Sequence, residues 1–154
     1  MKKKIAILGS TGSIGKSLIR ILIKDKRKYE IILLTSNTNY RELLKQVKLF
    51  NVKNIIISDY TIFLHVKKIL KNKKINIYNK FDHFNTMFKI RIDYTMSAIS
   101  GFDGLKPTLD IIKFTKKIAI ANKESIICGW SLIKKNLHKY KTQFIPIDSE
   151  HFSI

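Results

Sequence analysis

The sequence predicts an α/β fold, a doubly wound parallel sheet with helices on both faces. Three observations predict it. Short β-branched runs alternate with helix-patterned stretches along the whole chain. The strand candidates are nearly all apolar rather than alternating, as strands covered on both faces must be. Repeated strand–helix–strand order then requires parallel neighbours with helical crossovers.

The candidate strands are Lys4–Leu8, Glu30–Thr35, Asn54–Ile57, Ile75–Tyr78, Tyr94–Ala98, Lys117–Ala121 and Gln143–Ile147. The candidate helices are Ser13–Lys24, Tyr40–Phe50, Thr61–Lys71, Gly104–Phe114 and Lys123–Tyr140. Leu43, Val47 and Phe50 have helical spacing, as do Ile126, Trp130, Ile133 and Leu137. Pro107 sits near the start of its helix, where a missing N–H costs little. The stretch Asn79–Arg91 carries the weakest pattern and reads as a short irregular helix. Trp130 and the phenylalanines read as core, and Cys128 as a packed helix residue. His65, His83 and His138 read as surface residues.

At 154 residues, the chain suits one domain or a piece of a larger one. Its net charge of +19 points toward polyanions, but only 4 of the 30 basic residues are Arg, and the lysines are spread along the whole chain. A solvated lysine-rich surface is therefore the reading adopted, with a basic nucleic-acid-binding domain as the competing one. The single cysteine excludes an internal disulfide framework and fits a reducing compartment. Apolar runs of a few residues exclude a membrane-spanning helix. The basic start Met1-Lys-Lys-Lys is followed only by Ile5–Leu8 before Gly9 intervenes. An export signal needs about 7–15 apolar residues there, so the expected location is the cytoplasm.

Gly9-Ser-Thr-Gly12-Ser-Ile-Gly15 lies between the first strand and the first helix. The spacing is a relative of the dinucleotide-binding fingerprint of Rossmann-type domains. Gly9 permits the tight turn, Gly12 lets backbone approach a pyrophosphate, and Gly15 lets the helix pack close to the strand. The helix amino end presents N–H groups and a positive dipole end to the anion. A plain glycine turn is the alternative. After the second strand comes Thr35-Ser-Asn-Thr-Asn39, with no carboxylate before Glu42. An NAD site usually carries an acid here for the ribose 2′-OH, so its lack tilts the cofactor toward NADP. Ser36, Thr38 and Asn39 can hydrogen-bond a 2′-phosphate and Arg41 can pair with it. An ordinary polar loop with a helix cap fits the same residues.

Between Ile111 and Ile147 the only acid is Glu124; Asp148 and Glu150 then arrive together after a strand. Residues i and i+2 of an extended segment face the same way, and paired carboxylates attract a cation such as Mg²⁺ or Mn²⁺. From the spacing alone a surface turn with a helix cap is the plainer reading. Asn122 reads as the N-cap of the helix after the sixth strand, and Glu124 as a first-turn acid favoured by the dipole. Carboxyl ends of strands are also where doubly wound folds bind ligands.

Four segments together resemble one family. Gly9-Ser-Thr-Gly-Ser-Ile-Gly15, Ala98-Ile-Ser-Gly-Phe-Asp-Gly-Leu-Lys-Pro-Thr-Leu109, Ala121-Asn-Lys-Glu-Ser125 and Pro146-Ile-Asp-Ser-Glu-His151 resemble 1-deoxy-D-xylulose 5-phosphate reductoisomerase, in order and spacing. The resemblance implies an NADPH-dependent enzyme of isoprenoid precursor synthesis. It rearranges a sugar phosphate by a retro-aldol/aldol route and then reduces the aldehyde formed. It implies that Thr11, Gly12, Ser13 and Ile14 line the NADPH pyrophosphate and that Asn37, Thr38 and Asn39 lie by the adenosine ribose. Asn122 and Glu124 would hold the cofactor further along, and Lys123 would contact substrate. Asp148 and Glu150 would bind Mg²⁺ or Mn²⁺, and Ser149 and Glu150 would touch substrate, with Lys123 and Glu150 as the catalytic pair. His151 belongs to the motif but is assigned no chemistry. Thr38 stands where the family commonly carries Lys. The family is also much longer than this chain. Residues 1–147 are therefore expected to form the NADPH-binding domain and 148–154 to begin a metal- and substrate-binding domain. The full-length form is expected to be a homodimer without nucleic-acid or membrane partners, and this chain alone is expected not to turn over. The competing enzyme reading is another Rossmann reductase. A short-chain type would need Tyr-x-x-x-Lys, and no tyrosine here has Lys four residues on.

Overall fold

The computed structural model describes residues 1–147. The strands are β1 (Lys3–Leu8), β2 (Tyr29–Ser36), β3 (Asn54–Ile57), β4 (Asn76–Tyr78), β5 (Ile92–Ser97), β6 (Thr115–Ile120) and β7 (Gln143–Pro146). They form one sheet in the order β4-β3-β2-β1-β5-β6-β7, with every neighbouring pair parallel. The helices are α1 (Ser13–Lys24), α2 (Tyr40–Phe50), α3 (Tyr60–Ile69), α4 (Phe84–Met87), α5 (Leu105–Ile112) and α6 (Lys123–Lys139). The predicted α/β class and every predicted element are present, with ends moved by one or two residues at most positions. The weakly patterned stretch resolves into the single turn of α4.

The apolar strands divide the core in two. One face packs Ile19 and Leu22 of α1, Leu43 and Val47 of α2 and Val66 of α3. The other packs Phe84 of α4, Ile111 and Ile112 of α5, and Ile133 and Leu137 of α6. Strand register aligns Ile77, Ile55, Leu34, Ile7, Met96, Ala119 and Ile145 in a row across all seven strands on the first face. Each fully buried Ile or Leu in that row contributes about 1.5–3 kcal/mol of hydrophobic stabilisation.

Three sequence readings need correction. Cys128 is exposed, not packed. Trp130 is 38% exposed at the margin, leaning on Phe144 with ring centroids 5.4 Å apart. Phe102 lies outside the core at 68% exposure, whereas Phe84 and Phe88 are buried and stacked. The reason lies in α6, whose buried stripe is Ser125, Gly129, Ile133 and Leu137. Positions 128 and 130 fall to either side of that stripe. Gly129 is there because a Cβ would strike the Leu105 side chain of α5.

At the amino edge of the sheet, Asp93 joins three strands. It accepts from Lys116 Nζ on β6 and from the Lys4 backbone N–H on β1, both at 2.8 Å. The Lys116 hydrogen bond first, and then the Lys4 amide, hold its carboxyl below the usual carboxylate range. A depressed acid stabilises the fold above its unfolded pKa of about 4, and that contribution is lost as pH falls through the folded value. Asp93→Asn should therefore lower stability by about 1 kcal/mol near neutral pH, a partly exposed site limiting the effect. Urea denaturation of both proteins across pH 3–7 checks this: the gap should close below about pH 4.

Candidate functional site

The chain runs β1 to β4 outward in one direction and then returns to place β5 on the other side of β1. The sheet order therefore reverses between β1 and β5, and the crevice at their carboxyl ends is where such folds receive ligands. Two cavities occupy that crevice and share Gly12, Ala98, Ile99 and Ser100. The larger, about 450 Å³, extends toward β2 and is lined also by Gly9, Thr11, Thr35, Ser36, Asn37, Ser58, Phe81 and Asp103. The smaller, about 180 Å³, extends toward β6 and is lined by Ser13, Ile14, Ala121, Asn122, Lys123 and Glu124. Together they make one cleft along the carboxyl edge.

The glycine loop divides this cleft, and its geometry is over-determined. Gly9 has φ of +78°, and a Cβ there would also lie 2.6 Å from the Ala98 carbonyl oxygen. At Gly15 a Cβ would meet the Gly9 carbonyl oxygen and lie 2.6 Å from Ser10 Cα, so α1 approaches the loop only because no side chain intervenes. The loop is further held by β2 and α2. Gly9 N–H donates to Thr35 Oγ1 at 2.8 Å, and Ser10 N–H to the Thr35 carbonyl at 2.9 Å. Thr11 Oγ1 lies 2.9 Å from Ser36 Oγ, and buried Gln46 donates from Nε2 to the Ser10 carbonyl at 3.0 Å.

Gly12 differs from its two companions. Its φ and ψ of −76° and 175° suit any residue, and a Cβ would meet nothing nearer than the Gly9 carbonyl oxygen at 3.6 Å. Among the described residues, no contact requires a glycine there. Gly12 is also the N-cap of α1, which has no side-chain cap and no acid in its first turn. Of the other helices, α2 is capped by Asn39 and carries Glu42, α3 is capped by Asp59, and α6 is capped by Asn122 and carries Glu124. Helices α4 and α5, like α1, have no side-chain cap and no first-turn acid, but only the α1 amino end lies at the glycine loop in the cleft. The first-turn amides of α1 and its dipole thus face the cleft with no carboxylate of their own, an arrangement suited to an anion.

The other predicted residues take distinct places. Thr11, Gly12 and Asn37 line the larger part; Ser13, Ile14, Lys123 and Glu124 line the smaller. Asn37 Oδ1 accepts from Ser58 Oγ at 3.0 Å, joining the ends of β2 and β3. Thr38 and Asn39 lie outside the cleft lining: the Thr38 carbonyl accepts from Tyr40 N–H and Asn39 caps α2. Arg41 rests on the Tyr40 ring at 5.9 Å. Asn122 is buried, and its side chain is fully engaged. Nδ2 donates to the Ile99 and Gly101 carbonyls, and Oδ1 accepts from Ser125 N–H at 3.1 Å. It clamps the β5 loop to α6, which leaves only its backbone to face a ligand. Asp148, Ser149, Glu150 and His151 lie outside the described residues. Among those described, no three His, Cys, Asp or Glu side chains gather as metal ligands. No described helix is long and apolar enough to cross a membrane.

The sequence reading missed Ala98–Ser100, Ser58, Phe81 and Asp103 as cleft walls. A signal existed for the first group, since the residues after β5 sit at the reversal point of the sheet. None existed for Phe81, which reaches the cleft from the crossover before β5.

Comparison with known proteins identifies the family and the fold. Residues 5–129 match the family model described as 1-deoxy-D-xylulose 5-phosphate reductoisomerase. The enzyme of that name from Pelagibacter ubique (strain HTCC1062) is 67% identical over 154 residues, covering 99% of this chain and 40% of that relative. The solved reductoisomerase from Zymomonas mobilis in complex with NADPH superposes with a TM-score of 0.88 at 32% identity, covering 98% of this chain and 40% of that one. Another solved reductoisomerase, in complex with magnesium, gives 0.86 at 29% identity, covering 98% and 38%. The chain thus spans about 40% of the length of the relatives it matches.

Proposed function

Because the chain belongs to the 1-deoxy-D-xylulose 5-phosphate reductoisomerase family, we propose that residues 1–147 are the NADPH-binding domain of an enzyme converting 1-deoxy-D-xylulose 5-phosphate to 2-C-methyl-D-erythritol 4-phosphate. The observation that carries this reading is the uncapped amino end of α1, set in the cleft behind a glycine that the fold itself does not need. A pyrophosphate fits there: the Ser13 and Ile14 amides point along the dipole, and Gly12 leaves room for close approach. Thr11 is already oriented by Ser36 to flank it. The adenosine ribose would lie toward Asn37, with Thr38 and Asn39 offering backbone and hydroxyl groups at the outer rim. The nicotinamide end would run toward Ala121–Glu124, where Asn122 holds the wall rigid and Lys123 and Glu124 stand at the mouth.

When bound, NADPH supplies a hydride; the chain supplies its orientation against a substrate carbonyl. Lys123, at the amino end of α6, places a cation beside that reacting region and is proposed as a contact to the sugar phosphate. Asp148 and Glu150 as ligands of Mg²⁺ or Mn²⁺, with Ser149 and Glu150 touching substrate, belong to the same proposal. A dication there acts as a Lewis acid on substrate oxygens. The relatives' remaining length is proposed to complete the substrate site and to support the homodimer, in the cytoplasm. This chain alone is accordingly expected to show no turnover.

Isothermal titration of the purified chain with NADPH and NADH tests the cofactor reading. Saturable binding of NADPH, at least tenfold tighter than NADH, is expected. A folded sample that binds neither refutes it.

A further inference from the structure

Among the described residues, no Lys or Arg lines the larger part of the cleft, where the adenosine ribose is placed. A 2′-phosphate there depends on neutral donors, and the tips of β2 and β3 hold one. We propose that Ser58 is a positioning residue for cofactor choice: by donating to Asn37 it leaves the Asn37 amide donors to the 2′-phosphate of NADPH. The inference rests on the cofactor reading above and names the group that sets its specificity.

Elimination leads to Asn37. Of the three residues expected by the ribose, only Asn37 lines this part of the cleft. The Asn39 side chain is taken by the Glu42 N–H of α2, at 3.3 Å. Ser36 Oγ is paired with Thr11 Oγ1 at 2.9 Å. The one acid of the lining, Asp103, belongs to the segment after β5, on the far side of β1 from β2. Discrimination at the β2 tip therefore falls to Asn37.

An amide has two ends of opposite sense. Its oxygen only accepts, whereas Nδ2 carries two donors. Ser58 decides which end a ligand meets. Its Oγ donates to Asn37 Oδ1 at 3.0 Å, and among the described residues Nδ2 keeps no partner. A side chain at position 58 that could only accept would take Nδ2 and leave Oδ1 to the ligand. A phosphate needs the donors, but the 2′-OH of NADH both donates and accepts, so it pairs with either end. The orientation of this amide therefore bears on NADPH alone.

Ser58 is held in place from both neighbouring strands. Its N–H donates to the Ser36 carbonyl at 3.0 Å, and the Asp59 N–H to the Asn37 carbonyl at 3.4 Å. From beyond β4, Asn79 Nδ2 donates to the Ile57 carbonyl at 2.9 Å and to the Ser58 carbonyl at 3.2 Å. The adjacent carboxylate, Asp59, accepts from the Ile62 N–H at 2.9 Å, at the amino end of α3, where the helix dipole offsets its charge.

The test is titration calorimetry of this chain with NADPH and with NADH. Ser58→Ala should weaken NADPH about fivefold and leave NADH within about twofold, the scale of one hydrogen bond to a charged group. Ser58→Thr keeps the hydroxyl and should restore NADPH affinity. Asn37→Ala should weaken NADPH about tenfold, and adding Ser58→Ala to it should cost nothing more, because the serine acts through the amide. Thermal melts of all variants should agree within about 2 °C, since both side chains are exposed. If the unaltered chain binds neither nucleotide, the cofactor reading falls and this inference with it. If it binds NADPH and Ser58→Ala changes nothing, or weakens both nucleotides equally, the inference alone is overturned. Losses that add in the double variant overturn it as well, because Ser58 would then touch the phosphate itself.

Discussion

Gly15→Ala should destabilise the domain by about 3 kcal/mol, although alanine is the better helix former. The position is the third residue of α1, where the added methyl would gain roughly 1 kcal/mol of intrinsic helix propensity. Against that gain stands a collision with backbone. The new Cβ would meet the Gly9 carbonyl oxygen and would lie 2.6 Å from Ser10 Cα and 2.7 Å from Ser10 C. A flexible side chain in the way would swing aside, but these atoms are fixed. Gly9 is held at positive φ and tied to Thr35, and Ser10 is tied to both Thr35 and Gln46. Relief therefore requires α1 to retreat as a unit, which lifts Ile19 and Leu22 from their core. A fall in Tm of roughly 10 °C is expected for a domain of this size. Thermal unfolding followed by circular dichroism measures it. A loss under 1 kcal/mol would mean that the loop is softer than its hydrogen bonds imply.

That collision also shows why this part of the chain could be read from sequence. Gly9 and Gly15 are needed for local reasons, a left-handed turn and a close approach within six residues, so their spacing carries the geometry. Buried strands are similarly readable, because Ile55, Ile56 and Ile57 form a short β-branched run, and all three are buried, as a strand covered on both faces requires. Asn122 was readable as a cap, since a cap concerns only the next three residues. Its clamp on Ile99 and Gly101 was not, because those partners lie more than twenty residues away. Gln46 is another such case: a polar residue on a buried helix face that reaches the Ser10 carbonyl, 36 residues away. Trp130 misled for a different reason. The inward face of α6 begins with Ser125 and with Gly129, which packs against Leu105 of α5, and small residues leave no hydropathy signal, so the larger Ile126 and Trp130 drew the stripe to the wrong side. The carboxylates after β7 had a spacing compatible with a plain turn and gained meaning only from the motif around them.

Gly12→Asp should separate stability from function in the opposite direction to Gly15→Ala. The site is the N-cap of α1, its backbone already suits an aspartate, and a Cβ has ordinary clearance. An aspartate there would accept from a first-turn amide and place a negative charge at the positive end of the helix dipole. Each effect is favourable, so the folded state should gain roughly 0.5 kcal/mol. The same carboxylate would occupy the amides proposed for the pyrophosphate and would repel it. NADPH affinity should fall about 100-fold, equivalent to about 2.7 kcal/mol. Gly12→Ala removes the charge from the comparison and should cost about tenfold through crowding alone. Titration calorimetry and thermal melts on the same samples separate the two effects. If Gly12→Asp stabilised the chain and left NADPH binding intact, the pyrophosphate would have to lie elsewhere. If it destabilised the chain, the absence of a cap on α1 would have a structural cause that the contacts around Gly12 do not contain. The expected pairing, a more stable domain that has lost its ligand, would show that α1 carries an unsatisfied amino end for function, since the fold accepts a cap at no cost.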